Sequence, residues 1–219
     1  MTSFPIRDQI NDFLLTPKNA AMIFIDYQPD QFATVASIDR QLLADNVVRV
    51  AKLGKVFGLP IVLSTVNVKA NNLKPTIPPL REVLSDLKEI DRTQINAWED
   101  KEFLEAVEAT GRKKLIMCAL WTEACLIFPS LNALREGYEV YPVVDAVGGT
   151  SLEAHQYALQ RIGLAGGKFT SWTQLTCELQ RDWNRLDSLQ GMMKIAFDPS
   201  SPITKNQQRP MDVKGVPAP

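Results

Sequence analysis

A parallel, three-layer α/β/α sandwich is the fold this chain predicts, and three observations carry the prediction. Short apolar runs alternate with amphipathic stretches over most of the sequence, as expected of βα repeats on a parallel sheet. The runs at residues 20–25 and 115–121 are unbroken rather than alternating, so they read as strands buried on both faces. Two runs end in a carboxylate, Asp26 and Asp145, and a third leads into the polar turn at Thr122 and Glu123. Open α/β folds bind ligands at that edge of the sheet.

The elements follow in order. Residues 1–18 are a polar lead-in with room for one helical turn. The first strand covers 20–26 and gives way to a loop over 27–37. A helix over 39–57 carries Leu42, Leu43, Val47, Val50, Leu53 and Val56 on its apolar side and stops at Gly58. The second strand is 60–66. Residues 67–79 form a polar, proline-bearing loop, long enough to serve function or subunit contact. A short helix at 78–85 and a short strand at 87–90 come next. Asn96 or Asp100 caps the helix that stops at Gly111. A strand at 115–121 then turns into an amphipathic helix closed by Gly137. Residues 140–144 are the next strand, and Thr150-Ser151-Leu152-Glu153 resembles a capping box for a helix to Ile162. Lys168 to Ser171 reads as a final strand and 172–184 as a final helix. Residues 186–219 are proline-bearing and weakly periodic. They read either as an arm on the surface or at a subunit contact, or as a disordered tail.

Composition narrows the function classes. Lys and Arg total 24 against 25 Asp and Glu, interspersed, with a net charge of -1. Nucleic-acid and membrane-surface roles are therefore not expected. No stretch has the length of a transmembrane helix, and the start of the chain does not read as a signal peptide. Three cysteines in no metal-ligand spacing fit free thiols in the cytoplasm. With one histidine and no Gly-rich phosphate loop, neither a metal site nor a dinucleotide cofactor is expected.

Cys125 falls where strand gives way to helix. Free N–H groups and the helix dipole there would stabilise a thiolate and hold an oxyanion. The position thus suits a nucleophile with a depressed pKa, although from position alone a cysteine is more often a small core residue. Cys118, inside the strand, and Cys177, in the last helix, read as structural. Asp26 is either an Asx-turn residue or a general base for the thiol. Asp145 is expected to hold its loop, and His155 lies away from any strand end.

These motifs together resemble a known family. Ile25-Asp26-Tyr27-Gln28 with Phe32 resembles the opening of the isochorismatase-like cysteine hydrolases. The segment from Ala119 to Cys125, followed by Phe128-Pro129, resembles their nucleophile turn. Ile95-Asn96-Ala97-Trp98, Val144-Asp145-Ala146 and the segment from Cys177 to Trp183 are most similar to the YcaC-type branch. The resemblance covers about residues 16–185. It implies an isochorismatase/nicotinamidase-like, Rossmann-like sandwich with a six-stranded parallel sheet. The hydrolase domain would be residues 1–185, and residues 186–219 would form a C-terminal arm. It also implies a homo-oligomer, an octamer by likeness to that branch.

The resemblance implies a triad of Asp26, Cys125 and a lysine, but this chain has Arg92 at the lysine's place; Lys88 fits the pattern less well. It implies a cis peptide bond at Leu120–Trp121 and an oxyanion hole made by the backbone N–H groups of Trp121 and Cys125. Gln28, Phe32, Trp98, Trp121 and Glu123 are the expected substrate-binding residues; for the aromatic three, plain core packing is the competing reading. The loop after the second strand lacks the histidine of metal-dependent nicotinamidases, and Cys125 separates the chain from true isochorismatases. The expected activity is metal-free cleavage of the C–N bond of a small amide through a thioester. The alternative is a catalytically silent, oligomeric binding or scaffold protein.

Overall fold

The two most continuous apolar runs lie side by side at the centre of the sheet. The computed structural model describes residues 8–207. Its strands are β1 (Ala20–Ile25), β2 (Ile61–Val66), β3 (Glu89–Arg92), β4 (Lys114–Ala119) and β5 (Glu139–Pro142), all parallel in the order β3-β2-β1-β4-β5. Every residue of β1 and β4 is buried, because each has a strand on both sides and helices above and below. The helices are α1 (Pro29–Thr34), α2 (Arg40–Phe57), α3 (Val68–Asn71), α4 (Pro78–Val83), α5 (Lys101–Ala109), α6 (Ile127–Arg135), α7 (Leu152–Leu164), α8 (Trp172–Gln180), α9 (Leu186–Ala196) and α10 (Pro202–Gln207).

The pleat divides the core into two layers. Met22, Phe24, Ile116 and Cys118 face Leu43, Val47, Trp172, Leu175 and Ile195 of α2, α8 and α9. Ala21, Ile23, Ile25, Leu115 and Met117 face Phe103, Val107, Ala133 and Ile162 of α5, α6 and α7. Alternate residues thus serve opposite faces, as strand geometry requires. Gly54 allows α2 to sit tightly on the sheet: a Cβ there would lie 2.7 Å from Met22 Sδ.

Two expectations are corrected. The sheet has five strands rather than six. Lys168 N and Thr170 N bond to the carbonyls of Val140 and Pro142 at 2.8 and 3.0 Å, but only the bridge between Val143 and Thr170 forms. The Gly166-Gly167 turn before this segment and the Ser171 cap of α8 after it leave too few residues for a strand. The cap of α7 is Ser151, whose side chain accepts from Ala154 N, not Thr150. Thr150 is drawn off by a hydrogen bond to Glu123.

The expectation for residues 1–18 falls partly on residues 1–7, and that for the C-terminal arm partly on residues 208–219, outside the described residues. Within the described part, α9 buries Met192, Ile195 and Ala196 against α2 and α8. Arg49 of α2, itself buried, donates from Nη2 to Ser200 Oγ at 2.6 Å. Ile195, with Ile203 packed beside it, therefore joins the domain's core. Ile195→Ala should cost about 2–5 kcal/mol, measured by urea denaturation; a loss below about 0.5 kcal/mol would show that α9 adds nothing to the fold.

Candidate active site

Three strand ends converge at the C-terminal edge of the sheet. Asp26 follows β1 directly, Arg92 closes β3 two strands away, and Cys125 sits in the turn after β4. β2 pairs with β3 so that Val66 lies opposite Arg92. That register lets the long arginine side chain reach across β2. Arg92 Nη2 donates to Asp26 Oδ2 at 2.8 Å, and both side chains are fully buried. Among the described residues, Asp26 Oδ1 and the Nε and Nη1 of Arg92 have no hydrogen bond. Asp26 itself adopts a left-handed conformation at φ +60°, which costs a non-glycine residue about 1–2 kcal/mol.

The turn that carries Cys125 differs from a plain helix start. Residues Thr122–Leu126 form a π-helical turn that runs into α6, and such turns recur at functional sites. Leu126 N reaches back to Trp121 O at 3.1 Å. The Leu120–Trp121 peptide bond is cis. Cys125 is 8% exposed. Its sulfur interacts with the backbone N–H of Trp121 and with the Asp26 carboxylate.

This setting corrects the expectation of a depressed thiol pKa. Burial pushes the Cys125 thiol up, and the Asp26 carboxylate beside it pushes the same way. Arg92 and the Trp121 N–H pull down and do not win. Asp26 is raised too, by burial first, with Arg92 and the thiol opposing. Burial therefore favours the protonated form of both groups, and the Arg92 guanidinium opposes it. A helix terminus is a weak cation, and here it is outweighed by desolvation and a full negative charge.

The remaining candidates are distributed unevenly. Gln28 is fully buried, and its amide is consumed by main chain: Nε2 donates to Val66 O and Lys74 O at 3.1 and 2.7 Å, and Oε1 accepts from Val66 N at 2.8 Å. It braces β2 to the following loop and offers no free group. Phe32 packs on Tyr27 with ring centroids 6.0 Å apart. Trp121 Nε1 donates to Thr34 Oγ1 at 2.8 Å and pins α1 beside the turn. Trp98 packs edge-on against Phe103 and Tyr138, and its buried Nε1 has no partner among the described residues. Glu123 Oε1 accepts from Thr150 N at 2.8 Å. Lys88 pairs with exposed Glu102 and stands outside the site. Asp145 accepts from Trp172 N at 2.9 Å, holding its loop as expected. Cys118 is buried in the core, whereas Cys177, expected to be structural, is exposed.

Sequence reasoning passed over His155. Its Nδ1 lies 2.8 Å from Thr122 Oγ1, so the histidine buttresses the turn that carries Cys125. Burial lowers its pKa, with Glu123 opposing. The usable signal was Gly148-Gly149. Gly148 O accepts from Thr122 N at 2.9 Å, which carries the chain across the turn just before α7. Among the described residues, no group of three or more His, Cys, Asp or Glu side chains could hold a metal ion. No helix there is long and apolar enough to cross a membrane.

The model of the isochorismatase domain matches residues 20–174. The chain belongs to the isochorismatase family. Within that family of hydrolases it stands with the YcaC-type branch. It is 36% identical to the probable hydrolase YcaC of Escherichia coli (strain K12) over 170 residues, 77% of this chain and 81% of YcaC. The structure of YcaC from Pseudomonas aeruginosa, with hexane-2,5-diol and covalent acrylamide, superposes with a TM-score of 0.79 at 33% identity, covering 89% of this chain and 92% of that one. The crystal structure of Escherichia coli YcaC, an octameric hydrolase of unknown specificity, gives 0.78 at 34% identity, covering 84% and 91%. The isochorismatase fold of this chain is thus an α/β fold on a parallel sheet.

A side chain at Gly149 would collide with the site's supports: its Cβ would lie 2.5 Å from Glu123 Oε2 and 3.0 Å from His155 Cβ. Gly149→Ala should therefore cost about 1–3 kcal/mol and slow alkylation of Cys125. Labelling by iodoacetamide, read by mass spectrometry beside a denaturation curve, checks both; unchanged labelling and stability would contradict the close packing of this turn.

Proposed function

We propose that this isochorismatase-family protein is a metal-independent cysteine hydrolase that cleaves the C–N bond of a small amide-like substrate. The observation that carries the proposal is the buried ion pair between Asp26 and Arg92 at the strand edge, with the buried Cys125 in the turn beside it. A thiol with a raised pKa is a poor standing nucleophile. It becomes a good one if its proton leaves as the bond forms, and Asp26 is the acceptor at hand.

In this scheme Asp26 takes the thiol proton while Sγ attacks the carbonyl carbon. The backbone N–H groups of Trp121 and Cys125 hold the oxyanion. The tetrahedral intermediate collapses as Asp26 returns the proton to the leaving amine, which leaves a thioester. Water enters, Asp26 removes its proton, and the acid product departs. The thiolate then regains a proton from Asp26. Arg92 moves no proton, since a guanidinium stays charged. It keeps Asp26 in place, and its unpaired Nε and Nη1 are suited to an acceptor oxygen on the substrate. Phe32, Trp98, Trp121 and Glu123 would shape the pocket, while Gln28 positions the neighbouring loop. The acrylamide held covalently by the Pseudomonas aeruginosa relative supports a site of this fold that admits a small amide.

We extend the relative's octamer to a homo-oligomer of this chain. Exposed Ile95 and Phe128, 66% and 37% accessible, are apolar groups for such a contact, and the segment after residue 185 is a second candidate. A cytoplasmic location is part of the same proposal, on its three cysteines in no disulfide or metal-ligand pattern.

Ammonia release from a panel of small primary amides tests the chemistry. Cys125→Ala should lower the rate at least about 10³-fold. Arg92→Lys, which keeps the charge but loses the extra donors, should raise KM more than it lowers kcat. Turnover by Cys125→Ala at the wild-type rate would refute the scheme. Binding without turnover across the panel would favour the silent binding protein.

A further inference from the structure

The opposite end of the sheet carries a second concave region. A cleft of about 570 Å³ opens where β4 and β5 begin, at Lys114 and Glu139. β4 runs six residues from this edge to the nucleophile turn, about 20 Å, so the cleft is separate from the Cys125 site. Five cationic side chains line it: Lys18, Arg112, Lys113, Lys114 and Lys168. The chain as a whole has a net charge of -1, so this is a local concentration of positive charge.

The carboxylates in the cleft do not neutralise that excess. Asp12 is paired with Arg181 at 3.0 Å, and Glu139 with Lys168 and, at 3.9 Å, with Lys114. Lys114 is further committed to the carbonyls of Asp12 and Phe13, at 2.6 and 2.8 Å. That leaves Lys18, Arg112 and Lys113 with no carboxylate at ion-pair distance among the described residues. Lys113 instead lies 4.4 Å above the Tyr138 ring. The Nε of Arg112 is buried without a hydrogen bond, and a buried unpaired donor calls for a partner. Burial lowers the pKa of Lys114, with Glu139 opposing and Lys168 adding to the fall. The same cleft carries apolar surface: Phe13 and Ile10 are 81% and 70% exposed, and Lys168 lies 5.4 Å over the Phe13 ring.

We propose that this cleft is a second ligand site, and that it takes a phosphate-bearing small molecule with a flat apolar group, of the nucleoside-phosphate class. Three unpaired cations in one concavity suit a multiply charged anion, and a guanidinium matches phosphate geometry. The volume fits a molecule of nucleotide size better than a single ion. Phe13 and Ile10 supply the face for its apolar part. A nucleic acid is the poorer fit, because the basic groups converge in one cleft rather than following a stripe.

Calorimetric titration of the full-length protein with ADP and with pyrophosphate, at low ionic strength, tests the assignment. ADP should bind saturably below about 1 mM. Arg112→Gln with Lys113→Gln should weaken both ligands at least about tenfold, and the exposed control Lys101→Gln should weaken neither. Phe13→Ala should weaken ADP by about threefold or more and leave pyrophosphate unchanged. An unshifted Tm confirms that each variant is folded, and Lys18→Gln serves in place of any that is not. Absence of saturable ADP binding up to about 10 mM, or equal binding by wild type and the double variant, would overturn the site. Pyrophosphate binding as tightly as ADP would overturn its apolar half.

Discussion

The buried pair between Asp26 and Arg92 is the interaction on which the rest of the site depends. Moving both charges out of water costs several kcal/mol per ion, and only good geometry offsets that. The 2.8 Å contact requires β1 and β3 to end at matched heights with β2 between them. Much of the local structure serves that requirement. Gln28 ties the end of β2 to the next loop. Asp91 accepts from Val68 N and Lys69 N at 3.0 and 2.9 Å, holding the start of α3 beside β3. The left-handed backbone at Asp26 is tolerated because the carboxylate is held at its far end.

The two buried cysteines show what the pair adds. Cys118 and Cys125 are both raised in pKa, and burial is the first cause for each. Cys118 faces Tyr27 in the core, and the nearby Asp145 carboxylate, which raises its pKa further, is engaged by Trp172 N at 2.9 Å. Cys125 faces a carboxylate anchored by a fixed positive charge. In the proposed scheme, the same desolvation that silences one thiol leaves the other beside a group that can take its proton. His155 and Glu123 act one layer further out. They hold the π turn that carries the sulfur rather than meeting the sulfur themselves.

Much of this was legible in the sequence, for physical reasons that differ by element. β1 and β4 announce themselves because a strand buried on both faces must be apolar throughout. Asp26 and Cys125 stand out because they end such runs. Arg92 is different: nothing local marks it, and only resemblance to a family motif brought it forward. The short segment at 168–171 looks like a strand, yet flanking glycines and a helix cap leave it a single bridge. α9 was hidden by Gly191 and the prolines after it, although Leu189, Met192 and Ile195 keep helical spacing. His155 was missed because its contact depends on the chain crossing at Gly148, which no periodicity records. The direction of the thiol pKa was misjudged because a helix terminus is visible in sequence, while burial beside a carboxylate is not.

The central claim, a neutral Cys125 thiol beside an Arg92-paired Asp26, is tested most directly by titrating the Cβ carbon of Cys125 by NMR in protein labelled with ¹³C-cysteine. The account predicts a thiol resonance at neutral pH and a midpoint above about 8.5, the ordinary cysteine value, and a lower midpoint in Asp26→Asn, where the repelling charge is gone and Arg92 remains. A thiolate resonance for Cys125 at neutral pH in the wild-type protein would contradict it.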